Sequence, residues 1–129
     1  MKFAIVIHAA PYTSQAPLSA LRFCRAALRD GHDITRIFFY SDGVHNVSNL
    51  SVVPQDEVNV PAAWAELIEA HGIDAVACVS SAVKRGILGS QEADLHEKPA
   101  ANLLPGVSIG GLGQLVDASL SSDRVVNFG

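Results

Sequence analysis

The sequence predicts an α/β fold of three layers, α/β/α, built on a mainly parallel sheet of about five strands. Three observations carry this expectation. Short continuous apolar runs, such as Phe3 to Ile7 and Ile73 to Val79, mark strands covered on both faces. Segments of helical period separate these runs, as crossovers between parallel strands require. Glycines such as Gly31 and Gly72 stand where the helical periods end. The 129 residues suit a single domain, 1–129, and at that size folding hides roughly 70% of the extended-chain surface. A core can therefore form without disulfides or a structural metal.

Taken in order, Phe3 to Ile7 is the first strand, stopped by Pro11 and the polar run Tyr12 to Gln15. Leu18, Leu21, Cys24, Ala27 and Leu28 recur at three and four residues, which predicts a helix with Arg22, Arg25 and Arg29 largely off its apolar stripe. Gly31 closes it. Ile34 to Tyr40 is the second strand, followed by the turn signal Ser41-Asp42-Gly43. From His45 to Val60 the chain is rich in Asn, Ser and Pro without a clean period, and reads as a long loop with at most one helical turn. A helix runs from about Pro61 through Trp64, Leu67 and Ile68 to His71, with Gly72 as its stop. Ile73 to Val79 is the third strand, and Ser80 to Arg85 is a short helix ended by Gly86. Gln91 to Pro99 is polar and unpatterned. Val107 to Ile109 is a short strand, Leu112 to Leu120 a helix, and Arg124 to Phe128 the last strand.

Composition excludes several classes of function. Nine Lys and Arg against thirteen Asp and Glu give a net charge of −4, so no basic field exists to attract a phosphate backbone. Trp64 and the other aromatics are too scattered for a base-stacking surface, and direct nucleic-acid binding is not expected. Two cysteines, Cys24 and Cys78, without paired spacing fit a reducing compartment, and the expected location is the cytoplasm. Lys2 followed by Phe3 to Ile7 faintly resembles a signal peptide, but that apolar stretch is too short for one. No run approaches the roughly 20 apolar residues of a membrane span.

In an open parallel sheet, reactive groups gather at the carboxyl ends of the strands. His8, Asp42 and Cys78 fall there. Cys78 leads directly into a helix, where unpaired N–H groups favour thiolate over thiol, and Lys84 and Arg85 lie close enough in sequence to add positive potential. On position alone, a small hydrophobe packed in place explains Cys78 equally well. Cys24 lies on the apolar stripe of the first helix and reads as core. His8 facing Cys78 would suit a Cys–His hydrolase, although no orienting third residue is evident. His32, His45, His71 and His96 show no metal-ligand spacing, and no metal or cofactor is expected. Gly106, Gly110, Gly111 and Gly113 match neither the dinucleotide fingerprint nor the Walker pattern, and read as tight strand-to-helix packing.

Several segments together resemble a known family. Phe38-Phe39-Tyr40 with Asp42-Gly43-Val44, then Cys78-Val79-Ser80-Ser81-Ala82-Val83-Lys84-Arg85-Gly86, then Gly111 to Val116, then Asp123 to Val126 are similar to the TusD/DsrE sulfur-relay family, in order and across essentially the whole chain. The resemblance implies a DsrE-like fold and a sulfurtransferase subunit whose Cys78 carries sulfane sulfur as a persulfide. It further implies a heterohexamer with two related small subunits (TusB/TusC-like), a TusA-like sulfur donor and a TusE-like acceptor, serving 2-thiolation of the tRNA wobble uridine. A DsrE-type role within a DsrEFH complex in cytoplasmic sulfur oxidation is the alternative within the family, and a non-catalytic structural subunit is another. Ser80 and Ser81 depart from the alanines common there and add hydroxyl donors near the sulfur; His8 has no family counterpart. A relay also needs a docking surface, for which His45–Val60 and Gly86–Pro99 are candidates, with Asp56 and Glu57 able to steer a basic carrier.

Overall fold

The computed structural model describes residues 1–129. Strand β1 is Lys2–Ile7, helix α1 Ala16–Arg29 and β2 Asp33–Phe39. A 3-10 segment, Ser41–Val47, precedes α2 at Val60–His71, β3 at Ala75–Cys78 and α3 at Val79–Lys84. The chain ends through α4 at Ser90–Leu95, β4 at Val107–Gly110, α5 at Leu112–Leu120 and β5 at Arg124–Phe128. The strands form one five-stranded sheet in the order β4-β3-β2-β1-β5, and every pairing is parallel. The α/β architecture expected from the sequence is the one observed.

Strand order distributes the helices. Right-handed crossovers that step one way across a sheet leave their helices on one face, and a step the other way puts its helix on the opposite face. β1 to β4 step one way; β5 returns to the far side of β1. One face accordingly carries a cluster of 22 buried residues, including Ile5, Ile7, Ile37, Phe39, Trp64 and Ala82. The other carries Phe38, Val76 and Cys78, packed against Tyr40 and Leu115. Arg36 pins α5 there, donating to the Gln114 carbonyl at 2.7 Å and to Asp74 at 2.8 Å.

Local chemistry agrees with the helix ends. Gly31, at φ +85°, lets the His32 N–H reach the Ala27 carbonyl at 2.9 Å and the Gly31 N–H reach Leu28 at 3.1 Å, closing α1. At the start of α2, Asn59 accepts the Ala62 N–H at 3.1 Å. Gly72 ends that helix in the left-handed region. No helix is long and apolar enough to cross a membrane.

Three expectations need correction. Ser41-Asp42-Gly43 is not a turn before a loop but the first part of the 3-10 segment, which buries Val44, Asn46 and Val47. Its one deeply buried polar side chain hid it: Asn46 donates to the Ala9 and Gly43 carbonyls, both at 2.9 Å, and accepts the Trp64 indole N–H at 3.2 Å. Ser90–Leu95 is helical although its sequence shows no stripe, because Ala93 alone is buried. The Glu92 carboxylate accepts the Gly89 N–H at 3.1 Å and starts it. The third strand begins at Ala75, since Ile73 still donates to Ile68 in the helix closure, and it ends at Cys78 because Val79 is already helical.

Asn46 anchors the segment that follows β2. Asn46→Ala strands the indole N–H and two carbonyls, and a loss of about 2–3 kcal/mol is expected. The sole tryptophan, Trp64, reports unfolding by its fluorescence; a denaturant midpoint unchanged from the parent chain refutes the anchoring role.

Candidate active site

Cys78 is at once the last residue of β3 and the N-terminal cap of α3, with extended backbone at φ −60°, ψ 125°. β3 is buried throughout, so its alternating side chains are shared between two covered faces. Val76 and Cys78 point toward α5, where Phe38, Tyr40 and Leu115 surround them. Cys78 pairs in register with Gly110 on β4. A side chain at Gly110 would run into Gln114 and would meet the Val76 methyl at 2.9 Å, so glycine lets α5 begin tightly beside the sulfur. Of the glycines expected to pack tightly, Gly110 does so, whereas Gly111 and Gly113 have nothing within 4 Å of a would-be Cβ.

The electrostatics of the thiol come from dipoles. Burial pushes the Cys78 thiol up, since the residue is only 1% exposed. Against it act the Ser80 hydroxyl, the Ser81 N–H and hydroxyl, and the Ser80 N–H, which together leave the thiol below its ordinary value. The Ser80 hydroxyl lies 3.4 Å from the sulfur. The two N–H groups lower the thiol without completing a formal cap bond. Lys84 and Arg85 do not contribute, contrary to expectation. Arg85 turns away to donate to Asp42 at 2.9 Å and to the Ser81 carbonyl at 3.2 Å, fastening α3 to the 3-10 segment. Asp42 is thereby a structural partner.

His8 does not join Cys78. Its Nε2 pairs with the Asn127 side chain at 2.9 Å and its ring stands edge-on to Tyr40 at 5.9 Å. β2 separates β1 from β3, which puts two strand spacings, about 10 Å, between their ends. A Cys–His pair for hydrolysis is absent. No three His, Cys, Asp or Glu side chains come together as a metal site. Cys24 is fully buried, and burial pushes its thiol up to about 12. Tyr40 and Leu115 were not legible as site residues. They pack against the small cluster of Phe38, Val76 and Cys78 from segments remote in sequence, and no local pattern marks that meeting.

Residues 1–128 match the DsrE/DsrF-like family. The chain is 50% identical over 129 residues to a sulfurtransferase TusD homolog of Pseudomonas aeruginosa, covering 100% of this chain and 98% of that one. It is 42% identical over 128 residues to the sulfurtransferase TusD of Salmonella enteritidis, covering 99% and 100% respectively. A DsrE protein of Allochromatium vinosum is 48% identical over 129 residues, covering 100% and 99%. Among solved structures, the YchN protein of E. coli superposes with a TM-score of 0.70 at 26% identity, covering 99% of each chain.

Cys24 gives the fold an alkaline weakness. The folded thiol holds its proton to about 12, whereas the unfolded thiol loses it near 9.0. Between these values the unfolded chain binds fewer protons, so stability falls as pH rises, by about 1.4 kcal/mol per unit at most. Denaturant titrations from pH 9 to 10.5 should show a gentler decline in Cys24→Ala than in the parent chain; equal slopes exclude the effect.

Proposed function

The chain belongs to the DsrE/DsrF-like family, and from that premise we propose that it is a sulfurtransferase subunit carrying sulfane sulfur as a persulfide on Cys78. One observation carries the reading: the only thiol held below its ordinary value stands at a strand-to-helix junction, ringed by hydroxyl and amide donors. Relatives named as sulfurtransferases at 42% and 50% identity over the full chain support it.

The chemistry needs no cofactor. The Cys78 thiolate attacks the outer sulfur of a donor persulfide; a new S–S bond forms at Cys78, the donor's S–S bond breaks, and the donor leaves as a thiolate. An acceptor thiolate then attacks the outer sulfur on Cys78 and regenerates its thiolate. Electrons balance across both exchanges without an added oxidant. Because Cys78 is only 1% exposed, sulfur transfer requires a local rearrangement around it when a partner docks.

At finer resolution, we place residues 1–129 as one DsrE-like unit in the cytoplasm, within a heterohexamer that it forms with two related TusB/TusC-like small subunits. The unpartnered apolar stripe Leu112, Val116 and Leu120 on α5 supports such an assembly. The sulfur is received from a TusA-like donor and passed to a TusE-like acceptor toward tRNA wobble-uridine 2-thiolation, with no direct contact to the nucleic acid. The Allochromatium relative, at nearly the same identity, keeps a DsrEFH-type role in sulfur oxidation as the second reading.

Incubation with a protein persulfide donor should add the mass of one sulfur atom to the chain. That gain should persist in Cys24→Ser and disappear in Cys78→Ser; sulfur found on Cys24 overturns the proposal. Docking supplies a further test. Asp56 and Glu57 are exposed on an irregular stretch that also presents Val52, 93% exposed. Reversing both charges should slow association with a basic carrier roughly tenfold at low salt and by less at high salt. Rates that do not change remove these residues from the docking surface.

A further inference from the structure

We infer that Gln114 binds the transferred atom itself, its side-chain amide donating an N–H to the outer sulfur of a Cys78 persulfide. The persulfide rests on the sulfur-carrier reading of Cys78; the placement of Gln114 does not. Loading moves the negative charge. In the unloaded chain the charge of the thiolate sits on Cys78 Sγ, and the Ser80 hydroxyl, 3.4 Å away, is the one side chain hydrogen-bonded to it. A persulfide adds a second sulfur about 2 Å further out, and in its ionised form that outer sulfur carries the charge. Donors arranged for Sγ then face an uncharged atom, so the outer sulfur needs a donor of its own.

Strand register puts Gln114 beside the thiol. Cys78 and Gly110 are partners on parallel strands about 5 Å apart, and paired positions send their side chains to the same face of the sheet. Here that is the face beneath α5, since a Cβ on Gly110 would stand 2.9 Å from the methyl of Val76, which shares the small cluster with Cys78. The space such a side chain would fill is taken by the Gln114 carboxamide oxygen. The carboxamide therefore stands about one strand spacing from the Cys78 side chain. It makes no hydrogen bond to Sγ, and a sulfur attached to Sγ shortens the remaining gap by about 2 Å.

The backbone of Gln114 is fixed and its side chain is uncommitted. Its N–H donates to the Gly111 carbonyl at 3.1 Å, its carbonyl accepts Arg36 at 2.7 Å, and the next residue, Leu115, packs against the cluster. The side-chain amide has no partner in the chain, and as Gln114 is half-buried with no sealed unpaired atom, its oxygen and nitrogen both reach water. Two N–H donors are thus free at the boundary between a buried sulfur and solvent. Arg36, the cation that touches Gln114, is paired with Asp74 and Asp117 and brings no free charge to the site. During loading the Cys78–sulfur bond forms, the donor's S–S bond breaks and the donor leaves as a thiolate. Gln114 gives up no proton; its hydrogen bond favours the sulfur on Cys78 over the sulfur on the donor.

The test is an exchange equilibrium in a Cys24→Ala background, which leaves Cys78 as the only thiol. The chain is equilibrated with glutathione persulfide and glutathione at a fixed ratio, and the loaded fraction is read by intact mass. Gln114→Met fills the same slot without an N–H and should lower the ratio of loaded to unloaded chain roughly tenfold, the worth of one hydrogen bond to a charged group. Gln114→Glu sets a carboxylate before the anion and should lower it further. Alkylation of the unloaded thiol by iodoacetamide reads the thiolate alone, and in Gln114→Met its rate should change by less than about twofold, since no hydrogen bond joins Gln114 to Sγ. Loading of Gln114→Met equal to that of the background chain overturns the inference; so does an alkylation rate that falls as far as the loading, because the substitution has then disturbed the thiol and not the outer sulfur. If Gln114→Met does not fold, Gln114→Glu decides by its loading, a loss of about tenfold or more supporting the assignment and a smaller loss refuting it. A background chain that takes up no sulfur refutes the carrier reading and Gln114 with it, whereas equal loading of background and variants keeps the carrier and removes Gln114 alone.

Discussion

A parallel strand reaches its neighbour only through a crossover, and the handedness of crossovers ties the path of the chain to the coverage of the sheet. In this chain the path from β1 to β4 runs one way and the last step runs back past β1. One face therefore receives the long helices and the large core, while the other receives α5 alone. The thin face is where Val76 and Cys78 point. A sulfur under a single helix is shielded from water yet close to the surface, and a thick layer on both sides would have buried it as Cys24 is buried. Arg36, bridging Asp74 and the Gln114 carbonyl, holds that one helix down.

Dipoles, not ions, set the state of the Cys78 thiol. A cation against the sulfur would deepen the ionisation, but nucleophilicity declines as a thiol becomes more acidic. In the proposed relay the thiol both attacks a persulfide and later leaves as a thiolate, and lowering it by neutral donors favours its departure. Hydroxyl and amide donors supply that, and they respond little to salt because they carry no net charge. Arg85, the charge that sequence proximity suggested, is spent on fastening α3 to Asp42.

The surroundings of the site are stiff where they meet the core. Asn46 and Trp64 lock the 3-10 segment to α2, and Asn102 ties the Ser48 hydroxyl, the Gly86 carbonyl and the Leu88 N–H together. Between these anchors the chain from 49 to 58 is irregular and exposes Leu50, Val52 and Val58. A firm frame with a loosely packed apolar rim suits a protein that must meet other proteins without remodelling its own core.

Most of the framework was legible in the sequence because it follows local rules. Continuous apolar runs identify strands covered on both faces, glycines end α1 and α2, and the position of Cys78 between a strand and a helix follows from where one period stops and another starts. Family resemblance in the segments around Cys78 pointed to the same residue. Illegible were the elements that periodicity does not encode: the 3-10 segment, which is held by one buried asparagine, and α4, which buries a single alanine. The site itself divides in the same way. Cys78, Ser80 and Ser81 are neighbours in the chain, so their proximity needs no fold to predict it. That His8 stands two strands away, that Arg85 faces Asp42, that Tyr40 and Leu115 pack against the cluster holding Cys78 and that Ser41 addresses Ser81 were decided only by strand order and by the packing of α3 and α5. A strand-to-helix junction specifies the donors within one turn of the sulfur, whereas what covers it depends on which segments, tens of residues away, the crossovers bring back.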